Sequence, residues 1–351
     1  MDNFFREGIG YVWWKNKGVN VMQYVYLLLA AALSAGPLYQ YVGTKLDLQK
    51  YPPLGKMIDV GGYKLHMIDQ GSGYPTVVID AGLGSSSLDS QLVQPEIAKF
   101  TRVVSYDRAG HGWSDASHLT RTSDNIVQEL HTMLKNGNIP APYILVGYSF
   151  GGLNVRLFAD KYPDEVAGVV LVDASHENTK STHADSLSKS LEKNYYKYKA
   201  YAERVFGLDR WKQDPSLNRR IEKYPADIQE MYRALRLSTK RLKTAYAELD
   251  NFDTSCSQVK TSGGIVGNKP LVVITAGKKL TIDDSGYSQK QLDKKELDKA
   301  EMQKDLVTKS SCGKQVFAEK GGHNINYDQP EVIVDIVREM VDQLRIKEGC
   351  A

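Results

Sequence analysis

From residue 56 onward the chain alternates short β-branched runs with stretches of helical periodicity. The pattern predicts strands at residues 56–60, 63–68, 76–80, 102–106, 143–147, 168–173, 271–275 and 315–318. Gly61-Gly62, between the first two, marks a hairpin turn. Val169-Val170-Leu171-Val172 is apolar at every position, as a strand covered by helices on both faces must be. Helices predicted at 123–136, 151–161, 289–306 and 330–344 supply the crossovers between parallel strands. The expected fold class is therefore α/β, with a mostly parallel eight-stranded sheet flanked by helices and built from residues 56–173 and 269–347.

Two regions break this rhythm. Residues 174–268 hold no convincing strand and are expected to form a helical cap inserted between two sheet strands. The cap carries Tyr195, Tyr196, Tyr198, Tyr201, Tyr224, Tyr232 and Tyr246, with 17 Lys/Arg against 12 Asp/Glu. Such a face is either an ordinary solvated surface or a lid whose aromatic and basic side chains meet substrate.

The second region is N-terminal. Residues 18–44 contain no charged side chain and include the apolar run Val25-Tyr26-Leu27-Leu28-Leu29-Ala30-Ala31-Ala32-Leu33, long enough to span a bilayer as a helix. Arg6, Lys15 and Lys17 precede it, which leaves residues 1–20 in the cytosol, 21–43 as a single-pass transmembrane anchor and the catalytic part outside the cytosol. Tyr24, Tyr26, Tyr39 and Tyr41 suit the two interfaces. Ala32-Leu33-Ser34 has the form of a signal-peptidase site, so secretion after cleavage competes with anchoring, although the apolar stretch continues to Val42. A helix packed on the domain is a third possibility. Tyr51-Pro52-Pro53-Leu54-Gly55 closes a linker expected over 44–55.

Composition changes the picture little. A net charge of +3 and the lack of a basic stripe interleaved with aromatics argue against nucleic acid as a partner. Cys256, Cys312 and Cys350 have no metal-ligand spacing; one bridge between Cys256 and Cys312, or three free thiols, are both open. No metal or organic cofactor is called for.

The chemistry concentrates at Gly147-Tyr148-Ser149-Phe150-Gly151-Gly152, between the strand Ile144-Leu145-Val146 and a helix from Leu153. Glycines on either side of a serine permit the tight, strained turn that exposes a nucleophilic hydroxyl. Together with Asp107-Arg108-Ala109-Gly110-His111-Gly112-Trp113-Ser114 and Gly322-His323 before a helix opening at Pro330, this motif resembles the α/β-hydrolase superfamily. The likeness covers roughly residues 56–344. It is specifically to capped members similar to carboxylesterases, lipases, prolyl aminopeptidases and C–C bond hydrolases.

The resemblance implies a serine hydrolase in which Ser149 attacks a small-molecule or lipid acyl carbon and His323 serves as base. His66 and His131 fall within a strand and a helix, and His111 in the glycine-rich loop has at most a supporting place. The acid departs from the commoner family pattern, because Thr275-Ala276-Gly277-Lys278-Lys279-Leu280 offers no carboxylate after the next-to-last strand. Asp173, at the end of the strand after the nucleophile helix, is favoured, with Asp283 or Asp284 as the alternative. By resemblance the oxyanion hole is formed by the backbone N–H groups of Leu83 and Phe150, although Ala81 stands where the family usually has His. Esters are the widest substrate class; an aminopeptidase, a C–C hydrolase, or a non-catalytic binding protein of the same fold are the alternatives.

Overall fold

The computed structural model describes residues 4–179, 187–212, 215–279 and 288–349. Helix α1 (Phe4–Lys50) leads into a mixed sheet of β1 (Lys56–Asp59), β2 (Lys64–Gln70), β3 (Thr76–Asp80), β4 (Val103–Tyr106), β5 (Tyr143–Tyr148), β6 (Val166–Val172), β7 (Gly267–Ala276) and β8 (Ser310–Ala318). The strand order is β1-β2-β4-β3-β5-β6-β7-β8. β1 and β2 pair antiparallel with their neighbours, and the other six strands run parallel.

Alternation along the strands divides the core in two. Val78, Leu145, Val169, Leu171 and Val273 face one cluster, which α3 (Ser123–Asn136) and α4 (Gly151–Lys161) cover. Val77, Ile79, Ile144, Val146, Val170, Val172 and Ile274 face the other, under α2 (Gln94–Ile97) and the C-terminal helix α12 (Pro330–Gly349). The central strands are thus apolar on both faces because both faces are roofed.

Between β6 and β7 lie α5 (Leu187–Val205), α6 (Pro215–Ile221), α7 (Ala226–Arg236), α8 (Thr239–Asp250) and α9 (Phe252–Ser262). The expected cap is narrower than 174–268. Phe252, Cys256 and Val259 line one stripe of α9 and pack on the main core with Phe150 and Phe158, so α9 belongs to the helix layer over the sheet. The others form the cap proper. Ile221, Tyr224, Ile228, Met231, Tyr232 and Leu235 bury against Leu88, Trp113 and Tyr327 of the sheet domain. α10 (Gln289–Val307) follows β7, and α11 (Ile325–Asp328) follows β8.

The N-terminal boundaries also differ from expectation. No residue between Thr44 and Lys50 breaks a helix, and α1 continues through the expected linker to Lys50, with Pro37 inside it. Its last turns are held by the cap. The Gln40 amide donates to Leu237 O at 2.7 Å, Arg210 pairs with Asp47 at 2.8 Å, and Lys50 and Tyr51 reach Glu230. Residues 21–50 form a helix long and apolar enough to cross a membrane, with mean hydropathy 1.5 over its most apolar window. Cys256 is buried and Cys312 exposed, both as free thiols, so the bridge between them is not formed. Cys350 lies outside the described residues.

Candidate active site

Ser149 sits on the turn between β5 and α4 with φ of +48°, the left-handed region that an L residue occupies only under constraint. The constraint is local packing. A Cβ on Gly151 would stand 2.3 Å from Asp80 O, and one on Gly147 would stand 2.6 Å from Val155 Cγ2, so both positions exclude a side chain. The Ser149 N–H donates to Val172 O at 3.1 Å, and its carbonyl accepts from Gly152 N and Ser175 N, both at 2.9 Å. The turn is thereby tied to the end of β6.

Asp173 follows β6 directly, also with positive φ, +41°. Its N–H donates to Ile274 O at 2.7 Å, and its Oδ1 accepts from Ala276 N at 3.0 Å. His323 arrives from the loop after β8. Its Nε2 lies 3.0 Å from Ser149 Oγ and its Nδ1 lies 2.6 Å from Asp173 Oδ2. Three sequence-predicted residues separated by up to 174 positions thus form one hydrogen-bonded chain. Asp283 and Asp284 lie outside the described residues.

Burial of the Asp173 carboxyl would raise its pKa, but the His323 hydrogen bond and the Lys299 charge outweigh burial and hold it below the ordinary value. Lys299, on α10, was not singled out by the sequence. Its Nζ lies 2.8 Å from both carboxylate oxygens. The same helix also fixes the segment after Asp173: Gln303 donates to Ala174 O at 2.8 Å, and Asp305 meets His176 Nε2 at 2.7 Å. His176, Glu177 and Asp305 bring ligand atoms within 4.8 Å of one another, a geometry that could hold a metal ion. Arg156 pairs with Glu177 at 2.6 Å, and Lys309 pairs with Glu177 and Asp305 at 3.2 and 2.8 Å. These cations already neutralise the carboxylates, so the cluster is an ion-pair network.

On the other side of Ser149 runs the loop of Ala81, Gly82, Leu83 and Gly84. It passes close to the serine, since a Cβ on Gly82 would stand 3.6 Å from Ser149 Cβ. A second residue not assigned from sequence, Arg108, shapes it. The Arg108 guanidinium donates to Ala81 O at 2.6 Å, Gly82 O at 2.7 Å, Asp80 at 2.7 Å and Glu248 at 2.8 Å. Glu248, from cap helix α8, accepts in turn from Gly84 N at 3.0 Å. Burial would raise the Glu248 pKa, yet Arg108 and His111 hold it well below the ordinary value. For Asp80 burial prevails over Arg108 and the pKa is raised.

The other histidines weighed from the sequence have structural partners. His111 is wholly buried with Nε2 3.1 Å from Glu248, and burial lowers its pKa. His66 Nε2 accepts from Gly55 N at 2.9 Å, which leaves its Nδ1 as the donor to Asp107 at 2.8 Å. His131 stacks on Tyr162.

A mostly parallel sheet that brings Ser149, Asp173 and His323 together from beyond the ends of β5, β6 and β8, beneath an inserted helical cap, is the layout of the α/β-hydrolase class. The family model described as alpha/beta hydrolase fold matches residues 75–330, and the chain belongs to that family. The uncharacterized protein YbdG of Bacillus subtilis is 29% identical over 44% of this chain. The chain spans about half the length of that relative, 49%. A protein of Gibberella zeae described as an AB hydrolase superfamily protein is 23% identical over 77% of this chain and 87% of its own. The enol-lactonase of Burkholderia xenovorans superposes with a TM-score of 0.59 at 17% identity, over 82% of this chain and 100% of that one. At that identity the two share the fold.

Proposed function

We propose that the chain is a serine hydrolase that cleaves carboxylic esters or related acyl compounds, with Ser149 as nucleophile, His323 as base and Asp173 as the orienting acid. The observation that carries this is the continuous chain from Ser149 Oγ through both imidazole nitrogens to a buried carboxylate. His323 Nε2 takes the Oγ proton as Oγ bonds to the acyl carbon. The oxyanion faces the backbone N–H groups of Leu83 and Phe150, whose loop and elbow are fixed as described above. The imidazolium then protonates the departing alkoxide as the C–O bond breaks. Water, deprotonated by His323, attacks the acyl-enzyme, releases the carboxylic acid and returns the proton to Ser149. Every step uses a group of this chain.

The proposal includes location. α1 is an uncleaved single-pass anchor, and the catalytic domain lies on the side opposite the N-terminus, where small or lipid acyl compounds reach it. The exposure of Leu27, Leu28 and Leu33, together with the docking of the last turns of α1 on the cap, supports a helix that stays with the folded protein.

The test is labelling with a fluorophosphonate probe and hydrolysis of p-nitrophenyl esters of graded chain length. Wild type should be labelled, and Ser149→Ala should lose the label and at least about 10⁴-fold in kcat at unchanged Tm. Full ester hydrolysis by Ser149→Ala would sink the assignment.

A further inference from the structure

The helix register of α1 fixes the height of the cap against a bilayer. A hydrocarbon core about 30 Å thick takes about 20 helical residues. The charge-free stretch is 27 residues, 18–44. Gly36 falls inside every 20-residue window that fits within it, and Tyr39 lies inside or within two residues of every such window. Both residues touch the cap. The space beside Gly36 is filled by Phe206, whose Cδ1 would lie 2.6 Å from an added Cβ. Gly207 packs against the Tyr39 ring in the same way, and the Tyr39 and Trp211 ring centroids are 6.1 Å apart.

Phe206, Leu208 and Trp211 therefore stand at the level of the hydrocarbon edge. Each leaves part of its side chain uncovered by protein: Phe206 is 38%, Leu208 49% and Trp211 79% exposed. Cap helix α5, which ends one residue before Phe206, exposes Tyr195, Tyr196 and Tyr198 as well. Large aromatic side chains with a polar atom on an apolar body favour the boundary between headgroups and acyl chains. The polar partners lie further along α1, toward the cap side: Arg210 bonds Gln40 and Thr44 and pairs with Asp47.

We propose that the cap face carrying Phe206, Leu208 and Trp211 is a bilayer-contact surface, seated in the lipid interface beside α1. This rests on the proposal that α1 spans the membrane. The cap is then a second, non-spanning attachment, continuous with the span, and its partner is the interfacial zone of the lipid that surrounds α1.

Tryptophan quenching in the full chain tests it. The tryptophans are Trp13, Trp14, Trp113 and Trp211. The variant W13F/W14F is reconstituted in phosphatidylcholine vesicles carrying lipids brominated near the glycerol end of the chains, and W13F/W14F/W211F is the reference. The emission that W211F removes should lose about half its intensity to the brominated lipid and be shielded from aqueous iodide. If that emission is unaffected by brominated lipid while the protein resists alkaline extraction, the contact surface is refuted and the span stands. Shielding from iodide without lipid quenching, in a protein that cross-links as a dimer, assigns the face to a second copy and also refutes it. Release of the protein by alkaline extraction refutes the span and the contact surface together.

Discussion

On the side of Ser149 that faces the loop after β3 the charges are sealed: Arg108, Asp80 and Glu248 expose no more than 1% of their side chains. On the acid side they reach solvent, with Lys299 at 40% and Asp305 at 46% exposed. Both clusters tie a helix from outside the sheet to a strand end of the candidate site, α8 to the loop after β3 and α10 to the segment after β6. The sealed cluster holds backbone in place, and in the proposed mechanism a displaced N–H there would lose its aim at a developing charge. The open one acts on a carboxylate whose charge must persist while its position is already set by backbone bonds to β7. Fixing backbone therefore uses dry, fully paired charge, and tuning an anion uses a cation that water can partly replace.

The comparison can be broken at four points. Asp173→Asn, which keeps the shape and removes the charge, should cost about 10⁴-fold in kcat with little change in Tm. Asp283→Asn and Asp284→Asn should each stay within about twofold of wild type; a loss on the Asp173 scale at either would move the acid there. Arg108→Met leaves Asp80 and Glu248 buried without their cation, and chemical denaturation should show a loss of about 3–5 kcal/mol. A loss under about 1 kcal/mol would mean the sealed cluster is not the stronger of the two.

The third point is pH. Burial works against ionised Glu177, but Arg156 outweighs it and brings the pKa down from 4.5 to about 2. A depressed folded-state pKa means stability that is complete above about pH 4.5 and lost as the pH falls toward about 2. The Tm gap between wild type and Glu177→Gln should close over that window; a gap that widens on acidification would reverse the sign. The smallest effect belongs to Lys299→Met. With Lys299 exposed, Tm should not move, while kcat/KM falls several-fold and its acid limb shifts to higher pH, because Lys299 no longer helps hold the Asp173 pKa down. A uniform loss at all pH values would make Lys299 a packing residue only.

The elements and most of the site were legible because their signals are local. Glycines around Ser149 and before His323 declare turns that need them, and a carboxylate at a strand end declares Asp173. Arg108 stood within a motif already singled out, but nothing in its neighbours says that it will bond two carbonyls from the preceding strand end. Glu248 and Lys299 were illegible for a plainer reason. On α8 and α10 they are one acid and one base among many on helices that look solvated, and only the tertiary fold turns them inward. The stripe of Phe252, Cys256 and Val259 was visible as helix periodicity, yet periodicity does not say which layer a helix joins.

One consequence follows from Asp173 lying on β6. With the proposed nucleophile and acid directly after paired residues of adjacent parallel strands, the spacing of their backbones is set by the sheet's own interstrand distance of about 4.8 Å. The connection from β7 to α10 is thereby released from catalytic duty on the proposed assignment. Its length can vary as long as α10 still brings Lys299 and Gln303 to Asp173 and Ala174.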